Sequence, residues 1–273
     1  MKNLFYLSFT ILILLFAGCD DGDNNDDNNG DTPEAYPGLL ALYSDGSGSE
    51  TLHYLDPETG NIIEVYPSWT TGVSWDGYHH SIAFSNNYDI YMADPLDPTS
   101  VQRITVTDST VQEKNPGFLD GDDILVFTTH RGFYFDGVIL MNRETGVLDT
   151  IRDLGYQIRN LKVSPTYQFI GYQRTTVQQG VYVMDREGSN QYLSMITGYN
   201  NDFDWAGTED KLAITSDEWI KIPDMIEERT EDLIAGTDFN LIAYSPLDDI
   251  IAYSVEMDGY SDLHLINTDG TGD

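Results

Sequence analysis

From residue 38 to the end of the chain, short runs of Ile, Val, Leu, Tyr and Phe alternate with Asp, Gly, Asn and Pro, and no segment keeps a helical period. Runs of four to eight such residues, bounded by turn formers, predict β-strands. One kind of run recurs as Leu39-Leu40-Ala41-Leu42-Tyr43-Ser44, Ser81-Ile82-Ala83-Phe84-Ser85, Ile124-Leu125-Val126-Phe127, Phe169-Ile170-Gly171-Tyr172, Leu212-Ala213-Ile214-Thr215 and Ile250-Ile251-Ala252-Tyr253-Ser254. A second run follows each of these after a variable loop and closes on Asp56, Asp94, Asn142, Asp185, Asp224 or Asn267. Each closing Asp or Asn opens a turn such as Asp56-Pro57-Glu58-Thr59-Gly60 or Asn142-Arg143-Glu144-Thr145-Gly146. Asx side chains bond the backbone two residues on, so these groups read as turn formers rather than catalysts.

A third strand follows the turn in five units, at 62–65, 101–105, 147–151, 191–196 and 230–235. A fourth precedes the first run, marked by Val73-Ser74-Trp75-Asp76-Gly77, Pro116-Gly117-Phe118-Leu119-Asp120-Gly121, Leu161-Lys162-Val163-Ser164-Pro165, Phe203-Asp204-Trp205-Ala206-Gly207 and Ile242-Ala243-Tyr244-Ser245-Pro246. Four strands in each unit of about 40 residues is the signature of a propeller blade. The expected fold is therefore all-β, a six-bladed β-propeller over 38–273 with four-stranded antiparallel blades. The first unit lacks an obvious opening strand, and the sixth stops inside the turn that leads to its outer strand. The expectation is a truncated end, or a seam closed imperfectly by Pro33–Gly38.

The order Trp-Ser-Pro-Asp-Gly, Ile-Ala-Phe-x-Ser, Ile-Tyr-Val-Met-Asp resembles the TolB-like, WD-related propeller repeat. It is clearest in Val73–Asp94, Val163–Asp185 and Ala243–Asn267, and weakest in the fifth unit, where Pro223-Asp224-Met225-Ile226-Glu227-Glu228 replaces the usual Gly turn. The resemblance covers essentially the whole region after the tether and implies an envelope-associated scaffold. TolB carries a further N-terminal domain, for which the tether here leaves no room, so a specific Tol-Pal role is not expected. Some propeller lyases resemble the same repeat and use a His-rich metal site.

Residues 1–18 read as a secretory leader, with Lys2, an apolar run from Leu4 to Phe16, and small Ala17 and Gly18 before Cys19, the sole cysteine. Phe16-Ala17-Gly18-Cys19 resembles the lipobox of bacterial lipoproteins, which implies acylation of Cys19. Several acyl chains together anchor a protein stably. Residues 19–37 hold that Cys and an Asp/Asn-rich tether. The tether fails the EF-hand pattern, since a loop counted from Asn25 has Gly30 but ends on Tyr36, and one counted from Asp21 has Asp26 where Gly belongs. Acidic residues directly after the Cys also resemble the export signal of surface lipoproteins of the Bacteroidota. The expected location is the bacterial outer membrane, on its periplasmic or outer face.

A formal charge of −33 argues against nucleic-acid binding, which needs clustered Lys and Arg. One Cys rules out an intramolecular disulfide. No G-x-S-x-G elbow, H-E-x-x-H, Walker A or dinucleotide fingerprint is present. No catalytic residue and no cofactor is expected. His53 and His264 occupy the same place in the first and last units, where other units place Tyr91, Ile139, Tyr182 and Lys221. They are the only metal candidates, and packing in place of Tyr is the preferred reading because a metal needs more than two ligands.

The loop of the third unit, with His130, Arg131, Phe133, Tyr134 and Phe135, places aromatics beside an Arg on one rim. That composition is enriched at interfaces, while the same rings can equally lie over a neighbouring blade. The expected function is a monomeric, non-enzymatic, lipid-anchored module that binds an envelope protein or extracellular ligand through this rim and meets the membrane only through its anchor. The alternative is an extracellular polysaccharide lyase or hydrolase using a propeller metal site. A sensor or recruiting propeller split from a larger protein is a third reading.

Overall fold

The computed structural model describes residues 14–15, 39–44, 50–55, 61–68, 70–76, 81–94, 96–119, 123–131, 135–153, 157–176, 179–189, 191–196, 202–206, 209–216, 218–224, 229–236, 238–244, 249–257 and 260–272. These form six antiparallel sheets in chain order, in a propeller-like arrangement. The first sheet is β1 (Leu14–Leu15), β2 (Leu39–Ser44), β3 (Glu50–Leu55) and β4 (Ile62–Tyr66). The second is β5 (Thr70–Asp76), β6 (Ser81–Asn86), β7 (Asp89–Asp94) and β8 (Asp97–Arg103). The third is β9 (Val111–Leu119), β10 (Ile124–Arg131), β11 (Phe135–Asn142) and β12 (Leu148–Asp153). The fourth is β13 (Ile158–Val163), β14 (Phe169–Arg174), β15 (Gly180–Asp185) and β16 (Gln191–Ile196). The fifth is β17 (Phe203–Trp205), β18 (Leu212–Ser216), β19 (Trp219–Asp224) and β20 (Arg229–Ala235). The last is three-stranded among the described residues: β21 (Phe239–Tyr244), β22 (Ile250–Met257) and β23 (Tyr260–Asn267).

The four-strand unit expected from the repeat is thus present in five sheets. The opening position of the first is taken by Leu14 and Leu15, which pair with Leu40 and Leu39. Pro33–Gly38 lie outside the described residues, as do Cys19 and the tether. No helix among the described residues is long and apolar enough to cross a membrane.

The core lies between consecutive sheets rather than within any one. Leu52, Tyr54 and Val65 of the first sheet pack with Ile82, Phe84 and Ala93 of the second. Ala83, Ile90 and Met92 of the second meet Phe118, Leu125 and Phe127 of the third. Equivalent clusters join the third sheet to the fourth, the fourth to the fifth and the fifth to the sixth. Period-two alternation along the second strand of the second to sixth units sends its two large residues backward and its smaller middle residue toward the other face. The triplets are Ile82-Ala83-Phe84, Leu125-Val126-Phe127, Ile170-Gly171-Tyr172, Leu212-Ala213-Ile214 and Ile251-Ala252-Tyr253. The small residue leaves room for the next unit's large ones. At Gly171 a Cβ would lie 2.7 Å from Phe203 Cε2 and 3.3 Å from Trp205 Cζ2.

Three of the closing Asx residues are seen acting as turn formers. Asn142 Oδ1 accepts the Thr145 N–H at 2.8 Å, Asp94 Oδ1 that of Leu96 at 2.8 Å and Asp185 Oδ1 that of Ser189 at 2.6 Å.

Candidate functional site

The inner strands of the second, third and fourth sheets each break register once against their neighbour, at Thr71/Val73 in β5, opposite Val126/Thr128 in β9 and at Arg159/Leu161 in β13. The extra residue is Gly72, Asn115 or Asn160, each left-handed with φ between 52° and 60°, which only Gly and Asn adopt readily. Gly72 has a second constraint, because a Cβ there would lie 3.1 Å from Asn115 Cα in the next sheet. A bulge disturbs the ladder's hydrogen bonds, and a buried polar residue ending the apolar triplet of the second strand compensates. Thr128 Oγ1 donates to Lys114 O at 3.0 Å, Thr215 Oγ1 donates to Asp202 O at 3.2 Å, and Ser254 Oγ accepts from Leu241 N at 3.0 Å. Gln173 fills the row in the fourth sheet, and its Oε1 has no partner.

Polar side chains of the inner strands meet where the fourth and fifth sheets pack. Asn160 Nδ2 donates to Asp202 Oδ1 at 3.1 Å, and Lys162 Nζ donates to Asp204 Oδ1 at 3.1 Å while lying 3.9 Å from Asp202 Oδ1. The far oxygens carry the link onward: Asp202 Oδ2 accepts from Ile242 N at 3.4 Å and Asp204 Oδ2 from Tyr244 N at 2.9 Å. Trp205 Nε1 donates back to Lys162 O at 3.1 Å. One cation therefore serves two carboxylates across three sheets. Burial pushes the Asp202 carboxyl above its ordinary range, with nearby Asp204 adding to the effect and Lys162 opposing it. For Lys162 burial pulls downward, but the two aspartates together hold the ammonium above its ordinary value.

A second polar group sits where the second and third sheets meet. Inner strands start, and second strands end, at the same rim, so Glu113, His130 and Arg131 share a rim with Asp89. The sheets are joined there by Glu113 N donating to Tyr88 O at 2.8 Å. Asp89 Oδ2 accepts from Arg103 Nη2 at 2.6 Å and its Oδ1 from Thr107 N at 3.1 Å. Thr105 Oγ1 accepts from Ile90 N at 2.9 Å and hydrogen-bonds Glu113. Glu113 is 4% exposed, and its Oε2 has no partner; neither does the buried Oγ1 of Thr129, directly opposite on β10. Burial holds the Glu113 carboxyl above its usual range, with Thr105, Arg131 and Arg103 pulling the other way and Asp89 reinforcing it.

An acid whose pKa is higher in the folded than in the unfolded chain binds its proton more tightly when folded. Stability then falls as pH rises through that interval, and ionised Glu113 costs most once the pH is above it. Glu113→Gln is expected to raise stability at pH 7 by about 1 kcal/mol. It should also flatten the gain that the wild type shows on acidification toward the ordinary carboxylate range, as read by urea denaturation across pH.

The rim residues expected from sequence are only partly brought into this group. Arg131 is exposed at the end of β10, its charge felt by Glu113, and half-buried His130 precedes it opposite Gln112. Phe135 opens β11 opposite Arg131, while Phe133 and Tyr134 lie outside the described residues. Tyr88, 40% exposed, stands on the same rim with Lys114 Nζ 5.8 Å from its ring centroid. His53 Nε2 lies 2.8 Å from Thr51 Oγ1, and His264 stacks on Tyr253 with ring centroids 5.2 Å apart. Among the described residues no three His, Cys, Asp or Glu side chains are grouped to hold a metal ion. Sequence reading missed the Lys162, Asp202 and Asp204 ladder and Glu113. For Lys162 and Asp204 the signal was a charged residue at matching inner-strand positions 42 residues apart, whereas Glu113 carried no such signal.

No protein-family model matches the chain, and a search of curated proteins finds no match. Solved structures do match. TolB from Acinetobacter baumannii superposes with a TM-score of 0.66 at 17% identity, over 87% of this chain and 63% of TolB. The chain thus spans under two thirds of TolB's length. An oligogalacturonate lyase in complex with manganese gives 0.67 at 11% identity, over 86% of this chain and 72% of the lyase. A gluconolactonase from Xanthomonas campestris gives 0.62 at 13% identity, over 81% of this chain and 79% of that enzyme. These likenesses establish the fold.

Proposed function

We propose that this chain, a TolB-like β-propeller, is a partner-binding scaffold. It is held at the bacterial envelope or cell surface through lipid on Cys19 and takes its partner on the rim where the second and third sheets meet. The observation that supports this reading is Glu113, a buried carboxyl with one oxygen unmatched, beside Thr129 with its hydroxyl unmatched. Such a group lowers stability, and perturbed carboxyls concentrate where proteins bind or react. Around it stand exposed Tyr88 and Arg131, residue types that dominate binding energy at interfaces. The leader and tether read from sequence would place this rim outside the cytoplasm.

The test is a photo-crosslinking amino acid placed at Arg131 in the full chain expressed in its own cells, with a second placed at Glu144 on the opposite rim. A discrete crosslinked partner at position 131, and none at 144, is the expected result. The same adducts from both positions, or none from either, would overturn the reading.

A further inference from the structure

Positive charge is concentrated in one part of this acidic chain. Residues 103–174 hold eight of the 13 Lys and Arg but only nine of the 46 Asp and Glu. Five of those eight fall on the rim where inner strands start and second strands end: Arg103 at the end of β8, Lys114 near the start of β9, Arg131 at the end of β10, Arg159 near the start of β13 and Arg174 at the end of β14. Asp89 takes up Arg103, and Arg174 lies over the Tyr182 ring, 4.7 Å from its centroid. The other three are not neutralised. Arg131 and Arg159 are exposed, and among the described residues neither has a carboxylate within ion-pair distance, while Lys114 Nζ meets the Tyr88 ring rather than an acid. At the fifth and sixth sheets the same rim carries exposed Glu218, Asp238 and Glu256.

Lys114 and Arg159 hold the same place on adjacent inner strands, each immediately before the left-handed Asn of its bulge, Asn115 or Asn160. The polar groups around Arg159 are themselves incomplete. Gln173 stands directly opposite it on the ladder, 1% exposed, with Oε1 unmatched. The third, fifth and sixth sheets place Thr128, Thr215 and Ser254 there, and each hydroxyl is used by its own inner strand. Thr176 Oγ1, two residues beyond β14 on the same rim, is buried and unmatched as well. Buried polar atoms without partners are costly, and these lie beside a guanidinium without a counterion. An acidic stretch of polypeptide supplies every missing part. Its carboxylates suit the two arginines, its main-chain N–H groups suit Gln173 Oε1, and its carbonyls suit the Thr176 hydroxyl.

Building on the rim proposed above, we infer that its partner is a protein presenting an acidic segment, which lies across Arg131, Lys114 and Arg159 from the third sheet to the fourth. Charge-assisted pairs to the two arginines hold the segment, and the cations steer its approach. The remainder of the surface selects against misplacement. A chain of formal charge −33 repels an acidic segment nearly everywhere else, so the basic sector is where it can settle.

The probe is an end-capped heptapeptide Glu-Gly-Glu-Gly-Glu-Gly-Glu carrying a neutral fluorophore, titrated into the full chain at physiological salt. The control peptide has Gln in place of every Glu. Binding about tenfold tighter than the control is expected, and it should weaken as salt is added. Arg131→Gln/Arg159→Gln, at exposed positions, should lose that preference while keeping the wild-type melting temperature, and Arg131→Lys/Arg159→Lys should keep most of it. Lys211→Gln removes an exposed cation on the opposite rim and should leave the preference intact. Equal binding of the two peptides would overturn the inference. So would equal losses from the Lys211 and the Arg variants, which would reduce the effect to net charge. A discrete partner crosslinked at position 131 without any peptide preference would keep the rim and overturn the acidic segment, whereas a peptide preference without a crosslinked partner would do the reverse.

Discussion

Lys162→Met is expected to destabilise the protein by about 3–5 kcal/mol, the usual consequence of removing one partner from a buried ion pair. The ammonium bonds Asp204 and lies near Asp202, and the Asp202 side chain is only 8% exposed. Without the cation, two like charges face each other with little water. The loss should depend on pH in a definite direction. Asp202 already sits above its ordinary range when folded, and losing Lys162 raises it further. Lowering the pH through that value protonates the carboxyl in the folded state first, so the variant's deficit shrinks on acidification. Urea midpoints at pH 8, 7 and 5.5 give the check, and a deficit independent of pH would show that Lys162 acts through its aliphatic packing. Adding Asp202→Asn and Asp204→Asn should recover most of the loss. The amide oxygens can still accept from Ile242 N and Tyr244 N while the uncompensated charge is gone.

The second large effect is at the contact of Gly171 with Phe203. Phe203→Ala empties a fully buried position between the fourth and fifth sheets and should cost about 3–5 kcal/mol. Gly171→Ala places a methyl 2.7 Å from the same ring, an overpacking worth about 1–3 kcal/mol. The two should not add. With Phe203 truncated, the methyl introduced at Gly171 enters the space the ring vacated, so the double variant is more stable than the sum of the single losses allows. A double-mutant cycle measures this coupling. Strict additivity would mean that the glycine is needed for its backbone freedom and not for the approach of the ring.

The strands were legible because their cause is local. In Ile82-Ala83-Phe84 or Ile251-Ala252-Tyr253, alternate side chains point to opposite faces, and the Asx and Gly residues after Asn142 and Asp185 set turns over four or five residues. The site was not legible in the same way. Lys162 and Asp204 lie 42 residues apart, and in sequence each is one polar residue on a short strand. Glu113 likewise reads as one charge among many. What marks it is the enclosure made by Asp89, Thr105, Arg103 and Arg131, drawn from two different units.

The sequence by itself determined the all-β class, the recurring four-strand unit and its turns, because period-two burial and Asx/Gly turn chemistry act between near neighbours. The tertiary structure alone decided the rest. It turned the small middle residue of each triplet toward the next unit's large ones and gathered Lys162, Asp202 and Asp204 between the fourth and fifth sheets. It also left one oxygen of Glu113 unmatched on the rim. Each of these depends on which sheet packs against which. Burial and Coulomb interaction follow distance in space, and only the folded chain sets that distance.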